Sequence, residues 1–405
     1  MKPFFVLSLL IIFAVSKGQQ MTKKLTVNIT EPSGLDLIFS IDMTDNKILD
    51  DKKMTLYKVD NDKRAIIPFQ FEGNRMIWMI EGPVDNGIMH YEIKYGENII
   101  TPPLVEAIKC NGQLIIRADS INLLCYQFET LYPPSGVDSA FKRSAFIHPL
   151  WTPHGQELTR IQPPDHYHHY GIWNPWTQVL FEGDTINFWD LGKKQGTVRF
   201  AGFKTITDGP VFSEYEALHE HVVFNDDGTE TIALNELQKI QVYRPYGDYF
   251  IVDMTIKYRC ASESPFRILE YRYEGLGWRA TEKWNKDNCE VLTSEGKNRR
   301  KADGSLARWV IVQGELDEDF GGMVMMSHSS NFNHPEPLRI WPESMYERGD
   351  VFASFSTTKN RDWVLEPGKT YTLKYRLIVF NGRLTSEKAE KAWLYYTSPD
   401  LIKIQ

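Results

Sequence analysis

The chain has 405 residues, is 13% aromatic and carries a formal net charge of -7 from 46 basic and 53 acidic side chains. That length exceeds one typical domain of roughly 100–200 residues, and the aromatic content can supply a large core. Lysines and arginines are scattered without a basic stripe, so no nucleic acid partner is expected.

Residues 1–18 read MKPFFVLSLLIIFAVSKG. One lysine precedes an apolar run from Pro3 to Val15, then small and polar residues follow, the layout of a secretory signal peptide. The run is shorter than the roughly 20 apolar residues of a spanning helix. No later segment is long and apolar enough to span, so no membrane span is expected. The predicted mature chain begins near Gln19 and is periplasmic or secreted.

Residues 19–105 contain KLTVNIT, MIWMIEG and HYEIKYG. Their period-two alternation predicts strands of a small N-terminal β-sandwich domain. Residues 106–405 carry longer alternating stretches, among them LIIRADSINLLCYQF, VFSEYEALHEHVVFN and TETIALNELQKIQVYR. These predict successive antiparallel strands of a large β-sandwich. One helix is predicted late, in TSEKAEKAWLYYTSP, with Thr385 or Ser386 as N-cap and Glu387 in the first turn. The fold class is therefore mostly β, with a small N-terminal domain, a large antiparallel sandwich and one C-terminal helix. Cys110, Cys125, Cys260 and Cys289 include no C-x-x-C pair, so a zinc ribbon is excluded. Cys110 and Cys125 flank a predicted hairpin and are candidates for a disulfide. No phosphate-binding glycine loop or G-x-S-x-G sits in a strand-to-helix context.

The segment RIQPPDHYHHYGIWNPW, residues 160–176, holds His166, His168 and His169 beside Asp165, with His148 and His154 just upstream. Pro163 and Pro164 predict an extended path. In that path His166 and His168 share one face, and His169 takes the other. The unknown cofactor is then a divalent metal ion on His166 and His168, with His148 or His154 completing the set. The same imidazoles alternatively act as acids and bases near neutral pH, with Asp165 fixing a tautomer. Trp173 and Trp176 are candidates for stacking on sugar rings. Further on, Glu274, Arg279, Glu295 and Arg308 offer the carboxylates that glycosidic cleavage needs and guanidinium forks suited to uronates. The two stretches are predicted to face one pocket, within about 10 Å of each other.

FIHPLWTPHGQELTRIQPPDHYHHYGIWNPW, VLFEGDTINFWDL, YEGLGWR, LTSEG and ARW resemble the PmoA-like family of exported bacterial proteins over roughly residues 110–385. Members of that family stand among sugar-utilisation genes of Bacteroidota, so the resemblance implies a role in glycan breakdown. By analogy the large sandwich is like those of the galactose-mutarotase and polysaccharide-lyase superfamilies. The expected function is a carbohydrate-active enzyme, hydrolase or lyase, acting on an oligosaccharide or glycoside. Its catalytic set is His148, His154, His166, His168, His169, Glu274 and Glu295, and its substrate contacts are Trp173, Trp176, Arg279 and Arg308. A non-catalytic glycan-binding protein and a metal-dependent oxidoreductase are the alternatives.

Overall fold

In the computed structural model, residues 22–44, 54–61, 63–96, 99 and 101–405 are described. The leader sequence expected over residues 1–18 lies outside them. The chain is mostly β, arranged in antiparallel sheets with one C-terminal helix. Among the described residues no helix is long and apolar enough to cross a membrane.

Two large sheets face each other across the main core. One has eight strands and is built from the longest alternating segments, including Phe212–Phe224, Glu230–Tyr243, Tyr249–Cys260 and Tyr371–Asn381. The other has nine, with Glu336–Ile340, Phe352–Phe355, Leu276–Arg279, Ile172–Trp173 and Phe146–Leu150 in succession across its middle. Alternate residues of both sheets meet in one buried cluster, among them Leu124, Ile147, Ile172 and Trp278 from the nine-stranded sheet and Ile240, Val252 and Leu377 from the eight-stranded one. Such burial of apolar area is the main stabilising term of a sandwich.

Residues from 22 to 95 form a five-stranded and a three-stranded sheet around their own core of Val27, Leu56, Trp78 and Tyr91. The edge strand of the five-stranded sheet is Ile402–Ile404, paired with Thr22–Ile29. Leu35, Ile77 and Met79 pack with Ile251, Ile311 and Ile378, and the Ser386–Thr397 helix joins the same cluster through Ala389. The Thr385 hydroxyl caps that helix by accepting from the Lys388 N–H.

Two expectations fail here. All four cysteines are free thiols. Cys110 sits opposite Gln113 and Cys125 opposite Ile115, so the Gln113–Ala118 strand lies between them. Trp176 is fully buried in the main core, edge-on to Tyr258 and Trp363, and has no open face for a sugar.

The sequence reading also passed over a polar system inside the core. In EALHEHVVF the two-residue spacing sends His219 and His221 to the same face, where Glu236 faces His219 across the ladder. The Glu236 carboxylate binds His219 Nδ1 at 2.9 Å and His221 Nε2 at 3.0 Å, and the Tyr126 hydroxyl meets His219 Nε2 at 2.7 Å. Burial alone would raise the Glu236 carboxyl. The two imidazole hydrogen bonds outweigh it and hold it at about 2, so Glu236 is ionised. Burial lowers His221 and keeps it uncharged, so Glu236→Ala would leave buried imidazole donors without their acceptor. At about 1–3 kcal/mol for each orphaned donor, Glu236→Ala should cost about 2–6 kcal/mol of unfolding free energy in a denaturant titration. A loss below about 1 kcal/mol would show that the pairing contributes little.

Candidate functional site

The outer face of the nine-stranded sheet carries the site. The strands that bury Ile147, Ile172, Trp278 and Ala353 inward present their neighbours Phe146, Trp173, Arg279 and Phe352 on the other side. Phe146, Trp173 and Phe352 form a second apolar floor with Trp189 and Trp341. Gly277 makes room for it: a Cβ there would lie 3.0 Å from the Trp189 ring.

The histidine segment lies on this floor, and it is not extended. Ile161 and Tyr170 bridge across its base, and the Gln162 N–H donates to the His169 carbonyl at 2.8 Å. Two consecutive turns fill the loop. The His166 N–H bonds the Pro163 carbonyl at 2.8 Å, and the His169 N–H bonds the His166 carbonyl at 3.0 Å. Pro164 occupies the second position of the first turn, where its fixed φ favours turning. The proline pair therefore starts a turn instead of extending the chain, and the predicted division of His168 and His169 between two faces is overturned. At the exit, Gly171 has φ +57°, and a Cβ there would lie 2.2 Å from the Ile147 carbonyl oxygen. Only glycine lets the loop enter the sheet at that point.

The turns gather all three imidazoles. One ring nitrogen from each of His166, His168 and His169 lies within 4.8 Å of the others. Ring centroids are 4.6 Å apart for His166 and His169, and 4.9 Å for His168 and His169. Asp165 Oδ2 meets His166 Nδ1 at 2.8 Å, which fixes the tautomer and leaves Nε2 facing the Tyr346 hydroxyl at 3.1 Å. Asp190 lies 3.8 Å from His168 Nδ1. His169 is buried with its Nδ1 unpartnered.

Arg279 joins this group. Its Nη2 donates to Asp165 Oδ2 at 3.0 Å and to Asp350 at 2.6 Å, and its guanidinium lies 4.7 Å over the Trp341 ring. Partial burial would raise the Asp165 carboxyl, but the His166 bond and the Arg279 charge hold it well below the ordinary range. Burial lowers His168 to about 4 and also lowers His169, to which the neighbouring His168 and Arg279 add. Both rings are neutral at pH 7, the form in which imidazole binds a metal. The cavity above the rings measures about 120 Å³ and is closed by Tyr273, Trp341 and Tyr346. A larger one of about 380 Å³ lies between the N-terminal sheets, the eight-stranded sheet and the helix. Two of its four lining cations are paired with acids, Arg376 with Asp253 and Lys239 with Glu72 and Glu214, and among the described residues its lining has a single histidine, His328.

The other predicted residues lie elsewhere. His148 Nδ1 bonds the Thr159 hydroxyl at 2.9 Å and stands 3.6 Å from Glu157. His154 binds Asp319 at 2.9 Å and Asp248 at 3.2 Å. Neither belongs to the three-imidazole group. Glu274 is fully buried with both carboxyl oxygens unpartnered, does not line the cavity, and is pushed far above the carboxylate range by desolvation. Glu295 and Arg308 pair with each other, and Arg308 also binds Glu390 on the C-terminal helix, so both brace that helix. Trp173 packs 5.1 Å beneath His169 with 2% of its surface exposed, a floor residue with no face left for a sugar. Asp190, Trp341, Tyr346 and Asp350 were not singled out in the sequence. Asp190 alone had a local signal, as the acid of FWDL beside Trp189.

Fold and site thus define a mostly β protein with a histidine-centred cavity on the outer face of a sheet. Residues 113–394 match the model of a family of unknown function, DUF6807, and the chain belongs to that family. The matched region spans every element of the site. The match carries no PmoA-like designation. No curated protein matches the chain.

Burial also sets a pH dependence. His148 is lowered to about 4 from an ordinary value of 6.5. Between these values the unfolded chain binds a proton there that the folded chain does not, so stability is complete above about pH 6.5 and falls as pH drops toward 4. Thermal melts from pH 7.5 to 4 should show the melting temperature falling less steeply for His148→Asn than for the wild type. Parallel slopes would clear His148 of this role.

Proposed function

We propose that the protein is an exported carbohydrate-active enzyme that works with a divalent metal ion on His166, His168 and His169. The observation that carries this reading is the convergence of three imidazole nitrogens within 4.8 Å. Three protein nitrogens with one open position are the usual donor set of a catalytic zinc, and imidazole also suits copper, iron and nickel. Burial lowers both His168 and His169, which keeps the rings uncharged and their nitrogen lone pairs available to a metal ion.

The donor set has support behind it. Asp165 on His166 Nδ1 leaves Nε2 as the binding atom, and Asp190 stands on the Nδ1 side of His168. Carboxylates so placed orient the rings and raise their basicity. When bound, the ion supplies Lewis-acid polarisation of a substrate oxygen or an activated water. The Tyr346 hydroxyl, facing His166 Nε2 and half exposed, is placed to hydrogen-bond a substrate oxygen. Trp341 and Tyr273 form aromatic walls suited to a sugar, and the leader sequence supports export.

Elemental analysis of protein purified without chelators should find about one equivalent of a transition metal. His166→Ala, His168→Ala and His169→Ala should each lose it, and Asp165→Asn should weaken binding roughly 10–100-fold. A screen against plant and algal glycans should yield products that chelation abolishes. Metal-free wild-type protein that retains turnover after chelation would overturn the metal reading. Metal retained in all three alanine variants would place the ion elsewhere.

A further inference from the structure

The charge lining the histidine cavity is one-sided. Among the described residues no carboxylate lines it, while Arg272 and Arg339 do. The other polar side chains of the lining are the three histidines, Tyr273, Tyr346 and the two tryptophans, Trp189 and Trp341. We propose that this cavity receives the carboxylate of an acidic sugar, a uronate, and that Arg272 is the residue that binds it. The proposal rests on the metal-dependent, carbohydrate-directed reading of the site and names its substrate class.

Arg272, the hydroxyls beside it and the size of the cavity carry the proposal. First, the arginines differ in how they are satisfied. Arg279 is held by Asp165 and Asp350, and Arg339 by Asp303 at 2.6 Å. Arg272 has no carboxylate partner among the described residues. Its guanidinium is exposed at the cavity rim, 5.3 Å from the Tyr273 ring centre and 6.0 Å from that of Tyr271. Stacking of this kind orients the planar fork, and its hydrogen-bond neighbour is the uncharged Tyr273 hydroxyl, so no carboxylate competes for it.

Second, the phenols of Tyr273 and Tyr346 line the cavity beside the arginines, and a hydroxyl can donate to the acceptor oxygens of a ligand.

Third, the cavity holds about 120 Å³, against roughly 300–1,000 Å³ for a pocket that encloses a whole small ligand. One end of a sugar enters, and the rest lies outward past Tyr346. A planar carboxylate matches a guanidinium fork in two parallel hydrogen bonds, and no lysine lines the cavity to suit a phosphate as a point charge.

The test is a titration of the full, metal-loaded chain followed by tryptophan fluorescence, since Trp189 and Trp341 line the cavity. The probes are D-glucuronate and D-galacturonate, their neutral counterparts D-glucose and D-galactose, and inorganic phosphate. At least one uronate should bind about 10-fold or more tightly than its neutral counterpart, the effect of one charge-assisted hydrogen bond. Arg272→Gln should erase that preference while leaving melting temperature and metal content unchanged. Uronates that bind no better than neutral sugars, phosphate that binds more tightly than either uronate, or a preference that survives Arg272→Gln would each overturn the proposal. The two readings fail separately. A uronate preference that depends on Arg272 in protein that binds no metal keeps the carboxylate receptor and sinks the metal centre. One equivalent of metal without a uronate preference does the reverse.

Discussion

Arg279 carries its charge with no exposed side-chain surface, and much of the site is arranged to satisfy that charge. An isolated guanidinium in such surroundings is strongly disfavoured unless it is paired and hydrogen-bonded. Asp165 reaches it from the histidine loop, Asp350 accepts from the same Nη2, and Trp341 covers its face. Asp350 also takes Arg160 and Arg348. Segments that are distant in sequence are thereby clamped onto one strand of the sheet. The carboxylate that neutralises Arg279 is also the one that sets the His166 tautomer. Electrostatic need and ligand geometry share a single side chain.

The sheet beneath is used on both faces, and its alternation serves two ends at once. Trp278 and Ala353 fill the main core, while their neighbours Arg279 and Phe352 build the site. The cavity floor is thus the back of the principal core. Its position is fixed by a cluster of buried apolar side chains that spans both large sheets, and close packing of that kind transmits small displacements with little loss.

What could be read in the sequence follows from the range of the interactions involved. Period-two alternation is local, and it was enough to mark the strands as β, while helix-start residues, equally local, narrowed the cap of the late helix to Thr385 or Ser386, of which Thr385 is the one. The three histidines were visible as a cluster, but their arrangement was not. Two prolines are compatible with both extension and a turn, and the choice was settled by the Ile161–Tyr170 bridge, a tertiary feature. Trp176 and Trp173 differ by three residues and lie on opposite faces of one sheet, which composition cannot reveal. Arg308 and Glu295 have the residue types of a sugar site, yet their partner is a helix some eighty residues onward. Tyr346 lies 180 residues from the imidazole it meets, and no local signal announces it. His219 and His221 had the spacing that sends two side chains inward, but only the ladder places Glu236 opposite them.

The pairing of Ile402–Ile404 with Thr22–Ile29 joins the two ends of the described chain in one sheet. A ribosome releases these early strands first, but the edge of their sheet is supplied by residues some 371 positions further along the chain. Until those arrive, residues 26–29 expose a row of unpaired amides and carbonyls, the kind of open edge that recruits foreign strands. The small sheet is therefore closed only after the large sandwich between its edge strands has been translated.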